Sequence, residues 1–219
     1  MRTIAHRGCA EQFPENTVRA MESVADHVDM VELDVRRCAS GELVVIHDAT
    51  VDRVTDRTGH VADLTYDELA ACDVLGTGDG VPTLNDVCEA VPASVGLNVE
   101  LKEPRLAADV ADTLADYPND AVVSSFLPGA LAELRDAAPD VPRALLFDDG
   151  VERPLDVAAD LDCAAVHPSV QQCVSTPVVS QAHDREFEVN AWTVRTVADA
   201  EQLAARGVDG VIADRRDLF

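Results

Sequence analysis

Lysine is almost absent from this chain of 219 residues: Lys102 is the only one, and the other 16 basic residues are arginine. Basic residues are scarce altogether, since 17 stand against 41 acidic ones and the net charge is −24. A surface this acidic should repel nucleic acid and anionic membranes, so neither is an expected partner. With the lysine scarcity, the charge indicates adaptation to high salt, as in a halophile; an ordinary acidic protein is the alternative.

Aromatic residues make up only 4% of the chain and hydrophobic residues 47%, so a core would consist mainly of valine, alanine and leucine. No apolar stretch is long enough to span a membrane, and no signal-peptide pattern precedes the first strand-like run at residues 3–6.

The cysteines are Cys9, Cys38, Cys72, Cys88, Cys163 and Cys173. Without a C-x-x-C pair they argue against a zinc site and a disulfide framework. We expect a cytoplasmic protein with reduced thiols and no stable membrane anchor.

Short β-branched and apolar runs alternate with helical periodicity along the whole chain. The runs lie at about 3–6, 29–35, 96–101, 120–124, 142–147, 163–167, 187–193 and 208–213. The helical stretches lie at about 16–27, 83–91, 105–116, 128–138, 152–160, 176–186 and 196–205. This alternation predicts an α/β fold, a (β/α)8 TIM barrel forming a single domain over residues 1–219. An open doubly wound sheet competes, but no Gly-rich dinucleotide loop follows any strand.

Residues 36–81 interrupt the alternation, because they are too many for an ordinary βα loop. They contain an extra strand-like run at 43–46, followed by His47-Asp48, and a short helix that Thr65 and Glu68 would cap. We interpret 36–81 as a small insertion after the second barrel strand. It would lie over the C-terminal face of the barrel, where enzymes of this fold carry their chemistry.

Two pairs of charged residues, one acidic and one of an acid with a lysine, occur at the C-terminal ends of the second and third predicted barrel strands. Glu32 and Asp34 are two residues apart, as are Glu100 and Lys102, so each pair points to one side of its strand. Three carboxylates from adjacent strands would converge, and oxygen-rich sites select Mg²⁺ or Ca²⁺. We therefore predict a site for one divalent cation held by Glu32, Asp34 and Glu100. The alternative is a set of buried ion pairs with Arg36, Arg37 and Lys102.

Two histidines fall at the same predicted face. His6-Arg7-Gly8 ends the first strand, and His47 begins the loop after the extra strand. Arginine in this position is typical of a clamp for a phosphate or carboxylate. A histidine pair beside a metal and a phosphate clamp suits general acid–base cleavage of a phosphate ester.

Other residues near the predicted strand ends are less informative. Trp192 and Phe126 could form an apolar wall for a substrate or belong to the core. His167 ends the sixth predicted strand, but most single histidines are packed or surface residues. Asp209 and Asp214 flank the eighth strand, where we expect structural hydrogen bonds or an ion pair with arginine.

Several short motifs occur together in a characteristic order. They are His6-Arg7-Gly8, Pro14-Glu15-Asn16-Thr17, Glu32-Leu33-Asp34-Val35, His47-Asp48, Asp52-Arg53, Gly59, Pro82-Thr83-Leu84, Glu100-Leu101-Lys102, Trp192-Thr193-Val194, Gly207-Val208-Asp209-Gly210 and Asp214-Arg215. In this order the chain resembles the glycerophosphodiester phosphodiesterases from end to end. It departs from them at Arg195, where relatives often have asparagine, and at Val54, where threonine is common.

The resemblance implies a TIM barrel with an insertion after the second strand and an enzyme that hydrolyses glycerophosphodiesters to glycerol phosphate and an alcohol. It implies these roles: Glu32, Asp34 and Glu100 bind a divalent cation, His6 and His47 act as general acid and base, Arg7 and Lys102 hold the phosphate, and Glu15 supports the site. Either histidine could be the acid, and the nucleophile could be water or a glycerol hydroxyl.

Two other functions are compatible with these residues. The same chemistry on lysophospholipids would make a lysophospholipase D, which needs an apolar groove that the low aromatic content does not indicate. A non-catalytic phosphate-ligand binder on the same scaffold should have lost a histidine or a carboxylate, and none is missing. The sequence indicates neither the alcohol nor the oligomeric state.

Overall fold

The computed structural model describes residues 1–218, in which eight parallel strands form a closed barrel. The barrel strands are β1 (Arg2–Ala5), β2 (Met30–Arg37), β4 (Gly96–Leu101), β5 (Ala121–Ser125), β6 (Arg143–Phe147), β7 (Ala165–Pro168), β8 (Glu188–Val194) and β9 (Gly210–Ala213). The sheet closes because β1 pairs with both β2 and β9. The closed barrel is therefore confirmed, and the open doubly wound sheet is excluded.

The α-helices of residues 1–218 mostly lie between the strands. They are α1 (Val18–Val24), α2 (Tyr66–Ala70), α3 (Leu84–Ala90), α4 (Ala107–Ala115), α5 (Pro128–Ala137), α6 (Glu152–Asp160), α7 (Val170–Ser175), α8 (Val178–His183) and α9 (Val197–Arg206). Thr65 and Thr83 each form a capping box, which satisfies otherwise unpaired N–H groups at the start of α2 and α3. Gly207 ends α9 at φ 79°, a left-handed conformation that glycine adopts without strain.

Aliphatic residues fill the layer between strands and helices, as the composition predicts. Two large clusters pack there, one centred on β2 and β4 and the other on β7 and β8. A much smaller cluster of Ile4, Met30 and Ile212 lies inside the barrel. The interior above this cluster is polar, so the strand ends can present charged side chains to a common space.

The segment between β2 and α3 has a small core of its own. Its strand β3 (Leu43–Val45) runs antiparallel to the C-terminal end of β2, pairing with residues 35–37. Its buried apolar residues are Cys38, Val44, Ile46, Val51, Val54, Val61, Leu69, Val74 and Val81. This arrangement fixes His47, two residues beyond β3, beside the C-terminal end of the barrel.

Two further observations concern residues 1–218. None of their helices has the length and apolar character required to cross a membrane. All six cysteines are buried and unpaired.

Candidate active site

Three buried carboxylates meet at the C-terminal ends of β2 and β4. Parallel pairing puts Asp34 opposite Glu100, and Glu32 lies two residues before Asp34 on the same side of β2. Oxygen atoms of all three lie within 4.8 Å of one another, and no residue of the three is more than 8% exposed. Three hard oxygen donors at this spacing suit a divalent cation such as Mg²⁺ or Ca²⁺.

Two cations accompany the carboxylates but do not balance them. Lys102 Nζ lies 2.6 Å from Glu100 Oε1 and 3.4 Å from Asp34 Oδ1, and Arg7 Nε lies 3.1 Å from Asp34 Oδ2. Glu32 has no side-chain cation partner in residues 1–218 and accepts a hydrogen bond of 2.9 Å from the Arg7 backbone N–H. Ion pairing therefore involves only part of the cluster, which leaves one carboxylate in excess.

The pKa values reflect this excess of negative charge. Burial and the neighbouring Asp34 and Glu100 raise the pKa of Glu32 well above its usual range. Burial and Asp34 also raise the pKa of Glu100 to about 7. Burial acts in the same direction on Asp34, but Arg7 and Lys102 outweigh it and lower its pKa. The cluster thus carries repulsion that a bound cation would relieve.

Arg36 and Arg37 do not reach this cluster, contrary to the ion-pair alternative. Arg36 contacts Glu103 and the carbonyl of His47, and Arg37 pairs with Asp109. They lie at the end of β2, beyond the inward-facing positions. Of the three cations in that alternative, only Lys102 touches the carboxylates.

The turn after β1 brings Arg7 against the carboxylates. Arg7 adopts φ 52° and ψ 30°, and Gly8 follows at φ 78°. A Cβ on Gly8 would lie 2.7 Å from the Cβ of Ala20, so the close approach of this turn to α1 requires glycine. The Arg7 side chain also donates to Glu15 Oε1 at 3.1 Å, which ties it to the next loop.

His6 is held by a carboxylate from the other end of the chain. Its Nδ1 lies 2.5 Å from Asp214 Oδ1, just after β9, and Arg195 Nε donates to the second oxygen of Asp214 at 2.7 Å. Burial raises the pKa of Asp214, but His6 and Arg195 outweigh it, so its pKa is lowered and it stays ionised. Of the two contacts predicted as alternatives for Asp214, a structural hydrogen bond and an ion pair with arginine, the structure shows both, and the hydrogen-bond partner is His6.

His47 is oriented in the same way by the residue that follows it. Its Nδ1 lies 2.6 Å from Asp48 Oδ1. Arg53 Nε donates to Asp48 Oδ2 at 2.6 Å, and its two terminal nitrogens donate to Glu15 at 2.7 and 2.8 Å. Burial, despite the opposing effect of Asp34 and Asp48, lowers the pKa of His47. A continuous polar chain therefore connects His47 to Arg7.

Arg53 connects Asp48 to Glu15 in this series of contacts, and no role for it was predicted from the sequence. The variant Arg53→Gln tests whether this connection helps to orient His47. We expect kcat to fall by about 10- to 100-fold with a smaller change in KM, as for residues that orient a directly acting group. Arg53→Lys should recover part of the loss. Steady-state kinetics on a glycerophosphodiester, the substrate that the sequence resemblance implies, measures both parameters.

Arg57→Gln is the matched control, since Arg57 also belongs to the segment between β2 and α3. Within residues 1–218, its side chain donates to the carbonyls of Glu68 and Ala71 and to no residue of the cavity lining. A loss of kcat as large in Arg57→Gln as in Arg53→Gln would mean that general loosening of the segment, rather than the orientation of His47, explains the effect.

These groups surround one cavity of about 180 Å³. Of the residues singled out from the sequence, those that line it are His6, Arg7, Glu32, His47, Glu100, Lys102, Phe126, Trp192 and Arg195. Asp34 and Glu15 lie behind Arg7 and contact it. Phe126 and Trp192 form an edge-to-face pair with ring centres 5.1 Å apart. His167 is buried against Asn190 and does not belong to the lining.

Comparison with known proteins agrees with this geometry over almost the full length. The sequence model of the Glycerophosphoryl diester phosphodiesterase family matches residues 6–218. A glycerophosphodiester phosphodiesterase of Caldanaerobacter subterraneus subsp. tengcongensis is 33% identical over 229 residues, which cover 96% of this chain and 93% of that protein.

Two solved structures share the fold. An Oleispira antarctica phosphodiesterase in complex with the product sn-glycerol-3-phosphate has a TM-score of 0.90 and 27% identity, covering 100% of this chain and 95% of the other. A glycerophosphodiester phosphodiesterase of Agrobacterium tumefaciens has a TM-score of 0.89 and 28% identity, with 100% and 99% coverage. Since the family model spans residues 6–218 and a relative is 33% identical over 96% of the chain, the chain belongs to the glycerophosphoryl diester phosphodiesterase family.

Proposed function

We propose that this glycerophosphodiester phosphodiesterase releases glycerol phosphate and an alcohol by using one divalent cation and two histidines. The observation that carries the proposal is the cluster of Glu32, Asp34 and Glu100, of which Glu32 and Glu100 line the same cavity as His6 and His47. The glycerol phosphate bound to the Oleispira antarctica relative supports the choice of substrate.

The phosphate would lie between the carboxylate cluster and the basic residues. A cation held by Glu32, Asp34 and Glu100 would supply positive charge to a phosphoryl oxygen. One terminal nitrogen of Arg7 donates to Glu15, and its Nε faces Asp34 at 3.1 Å in an ion pair, which leaves its other terminal nitrogen for the phosphate. Lys102 donates a hydrogen bond to Glu100 and faces Asp34 Oδ1 at 3.4 Å in an ion pair, so it keeps donors for the phosphate. Both would stabilise negative charge that grows in the transition state.

The histidines would move the two protons. A carboxylate at Nδ1 fixes the tautomer with hydrogen on that nitrogen, so Nε2 is free to accept a proton. One histidine takes the proton of the attacking oxygen, which is water or a glycerol hydroxyl, as its bond to phosphorus forms. The other, in its protonated form, gives a proton to the alcohol as its bond breaks.

The proposal is tested by following glycerol phosphate release from glycerophosphocholine and glycerophosphoethanolamine in concentrated KCl. We expect turnover that EDTA abolishes and that Mg²⁺ or Ca²⁺ restores, because the carboxylate cluster needs the cation. Undiminished turnover in EDTA would contradict the cation requirement. Folded protein that binds a cation without any turnover would favour the phosphate binder, and release of headgroup from lysophosphatidylcholine alone would favour the lysophospholipase D.

We also propose that the chain is one catalytic domain, residues 1–219 with an insertion at 36–81, and that it works in a cytoplasm rich in salt. The six unpaired buried cysteines support a reducing compartment.

The charge of −24 supports the salt adaptation and allows a direct test. Raising KCl from about 0.1 M to about 1 M shortens the Debye length from about 10 Å to about 3 Å and screens the repulsion among surface carboxylates. We expect the midpoint of thermal unfolding to rise over this range and beyond. A midpoint that stays level or falls would identify an ordinary acidic protein.

A further inference from the structure

Two polar side chains at the floor of the cavity have no hydrogen-bond partner in residues 1–218. Asn98 and Ser124 are 1% and 0% exposed, and both line the cavity. The unpaired atoms are Nδ2 and Oδ1 of Asn98 and Oγ of Ser124. Buried polar groups in native proteins nearly always have a partner, because an unpaired one costs the loss of its hydration.

Both residues belong to the strands that carry the carboxylates. Parallel pairing puts Asn98 opposite Glu32 and Ser124 opposite Glu100. Asn98 precedes Glu100 by two residues on β4, so it lies one inward-facing position deeper in the barrel. The floor beside them is apolar, formed by Leu146 and Ile212. A ligand group that enters the cavity beside Glu32 and Glu100 therefore meets these polar atoms next to the apolar side chains of Leu146 and Ile212.

The chemistry of the free atoms defines the group that would fit. An amide offers a donor and an acceptor, and a hydroxyl offers both in one atom. Asn98 Oδ1 can only accept, so a phosphate oxygen would leave it unpaired, and a quaternary ammonium has no hydrogen to share with any of the three atoms. Neighbouring hydroxyl groups of a polyol, which donate and accept in turn, match them.

The mouth of the cavity is different in character. Phe126 is 40% exposed there, and the side chain of Arg195 is 61% exposed. An alcohol of variable size could extend into solvent past these residues, whereas the floor accepts only a small group. We propose that Asn98 and Ser124 bind the hydroxyls of the substrate's glycerol, so that the glycerol enters the barrel first and the leaving alcohol points outward.

This inference rests on the proposed phosphodiesterase activity, and Ser124→Ala tests it with two substrates. Glycerophosphocholine carries both glycerol hydroxyls, and propyl phosphocholine has the same diester and choline without them. The wild type should favour glycerophosphocholine by about 100-fold or more in kcat/KM, because sites with buried polar groups reject analogues that leave those groups unpaired. Ser124→Ala should lower kcat/KM for glycerophosphocholine by about five- to tenfold and leave propyl phosphocholine within about twofold.

Ser125→Ala is the matched control, since Ser125 is the next residue and is equally buried. Its Oγ already donates to the carbonyl of Leu101 and accepts from the N–H of Leu127. Ser125→Ala should leave the ratio of kcat/KM between the two substrates unchanged, even if it lowers the stability of the protein.

Asn98→Leu provides a second test, because leucine has a similar volume and no polar side-chain atoms. It should reduce the preference for glycerophosphocholine over propyl phosphocholine, as Ser124→Ala does.

The outcomes separate the inference from the activity on which it rests. If Ser124→Ala and Asn98→Leu leave the ratio of kcat/KM between the two substrates unchanged, whether or not both values fall, the glycerol assignment is overturned while the phosphodiesterase activity stands. Wild-type enzyme that cleaves neither substrate in the presence of a cation would overturn both.

Discussion

His6→Ala should lower kcat on glycerophosphodiesters by about 10³-fold with a small change in KM, because a positioned acid–base group contributes about 10²- to 10⁴-fold. His6 lines the cavity and is oriented at 2.5 Å by Asp214. Alanine leaves the carboxylate cluster, Arg7 and Lys102 intact, so substrate should still bind. Kinetics at saturating cation concentration measures kcat and KM separately.

Asp214→Asn should produce a related but distinguishable defect. The amide that replaces the Asp214 carboxylate can donate a hydrogen bond to Nδ1 of His6, which favours the tautomer with hydrogen on Nε2. In that tautomer Nε2 cannot accept a proton from the attacking oxygen. We expect kcat to fall by about 10²-fold or more, as in other enzymes where the carboxylate behind a histidine becomes an amide. The double variant Asp214→Asn with His6→Ala should lose no more kcat than His6→Ala alone, because both changes remove the same function, proton transfer by His6.

His183→Ala is the matched control for His6→Ala. His183 also contacts an aspartate, with Nε2 2.9 Å from Asp209 Oδ2, but it lies at the surface at the end of α8 and outside the cavity lining. Its removal should keep kcat within about twofold of the wild type. Comparable losses in the two variants, or a His6→Ala enzyme with most of its kcat, would exclude His6 from proton transfer.

Much of the fold follows from alternation of apolar runs with helical periodicity, and the eight barrel strands lie close to the predicted ranges. The helix α7 was not predicted, although Ser169 caps it, because it has only six residues and a capping serine alone does not predict a helix. So short a segment contains less than two turns and shows no clear period. The three-residue 3₁₀ helix at His6–Gly8 depends on a left-handed Arg7, which no sequence period indicates.

The carboxylate cluster was predictable because residues two apart on a strand share a side and neighbouring strands are adjacent in the barrel. The residues that orient the histidines were harder to identify. Asp214 is 208 positions from His6, and the two meet only because β1 and β9 close the barrel, with Ala5 opposite Ala213. Asp48 had a usable signal, since it directly follows His47. Arg53 had none beyond its motif, because its partners come from two separate loops.

Glu32→Gln should remove cation-dependent turnover while leaving the cation-free protein as stable as the wild type or more so. Among residues 1–218, no side-chain cation pairs with Glu32, so its neutralisation leaves Asp34 and Glu100 matched by Arg7 and Lys102. Glutamine can still accept from the Arg7 N–H. We expect cation affinity to fall by more than about 100-fold, beyond the loss typical of a residue that only supports a ligand.

Thermal unfolding with and without Mg²⁺ or Ca²⁺ measures this independently of activity, because a cation that binds only the folded state raises the midpoint. Glu103→Gln is the matched control: Glu103 follows β4 but accepts from the Arg37 N–H and contacts Arg36, outside the cavity lining. It should keep the cation-induced rise, whereas Glu32→Gln should lose it. A rise of equal size in both variants would mean that the cation binds elsewhere, and the buried carboxylates would then serve only the ion pairs with Arg7 and Lys102.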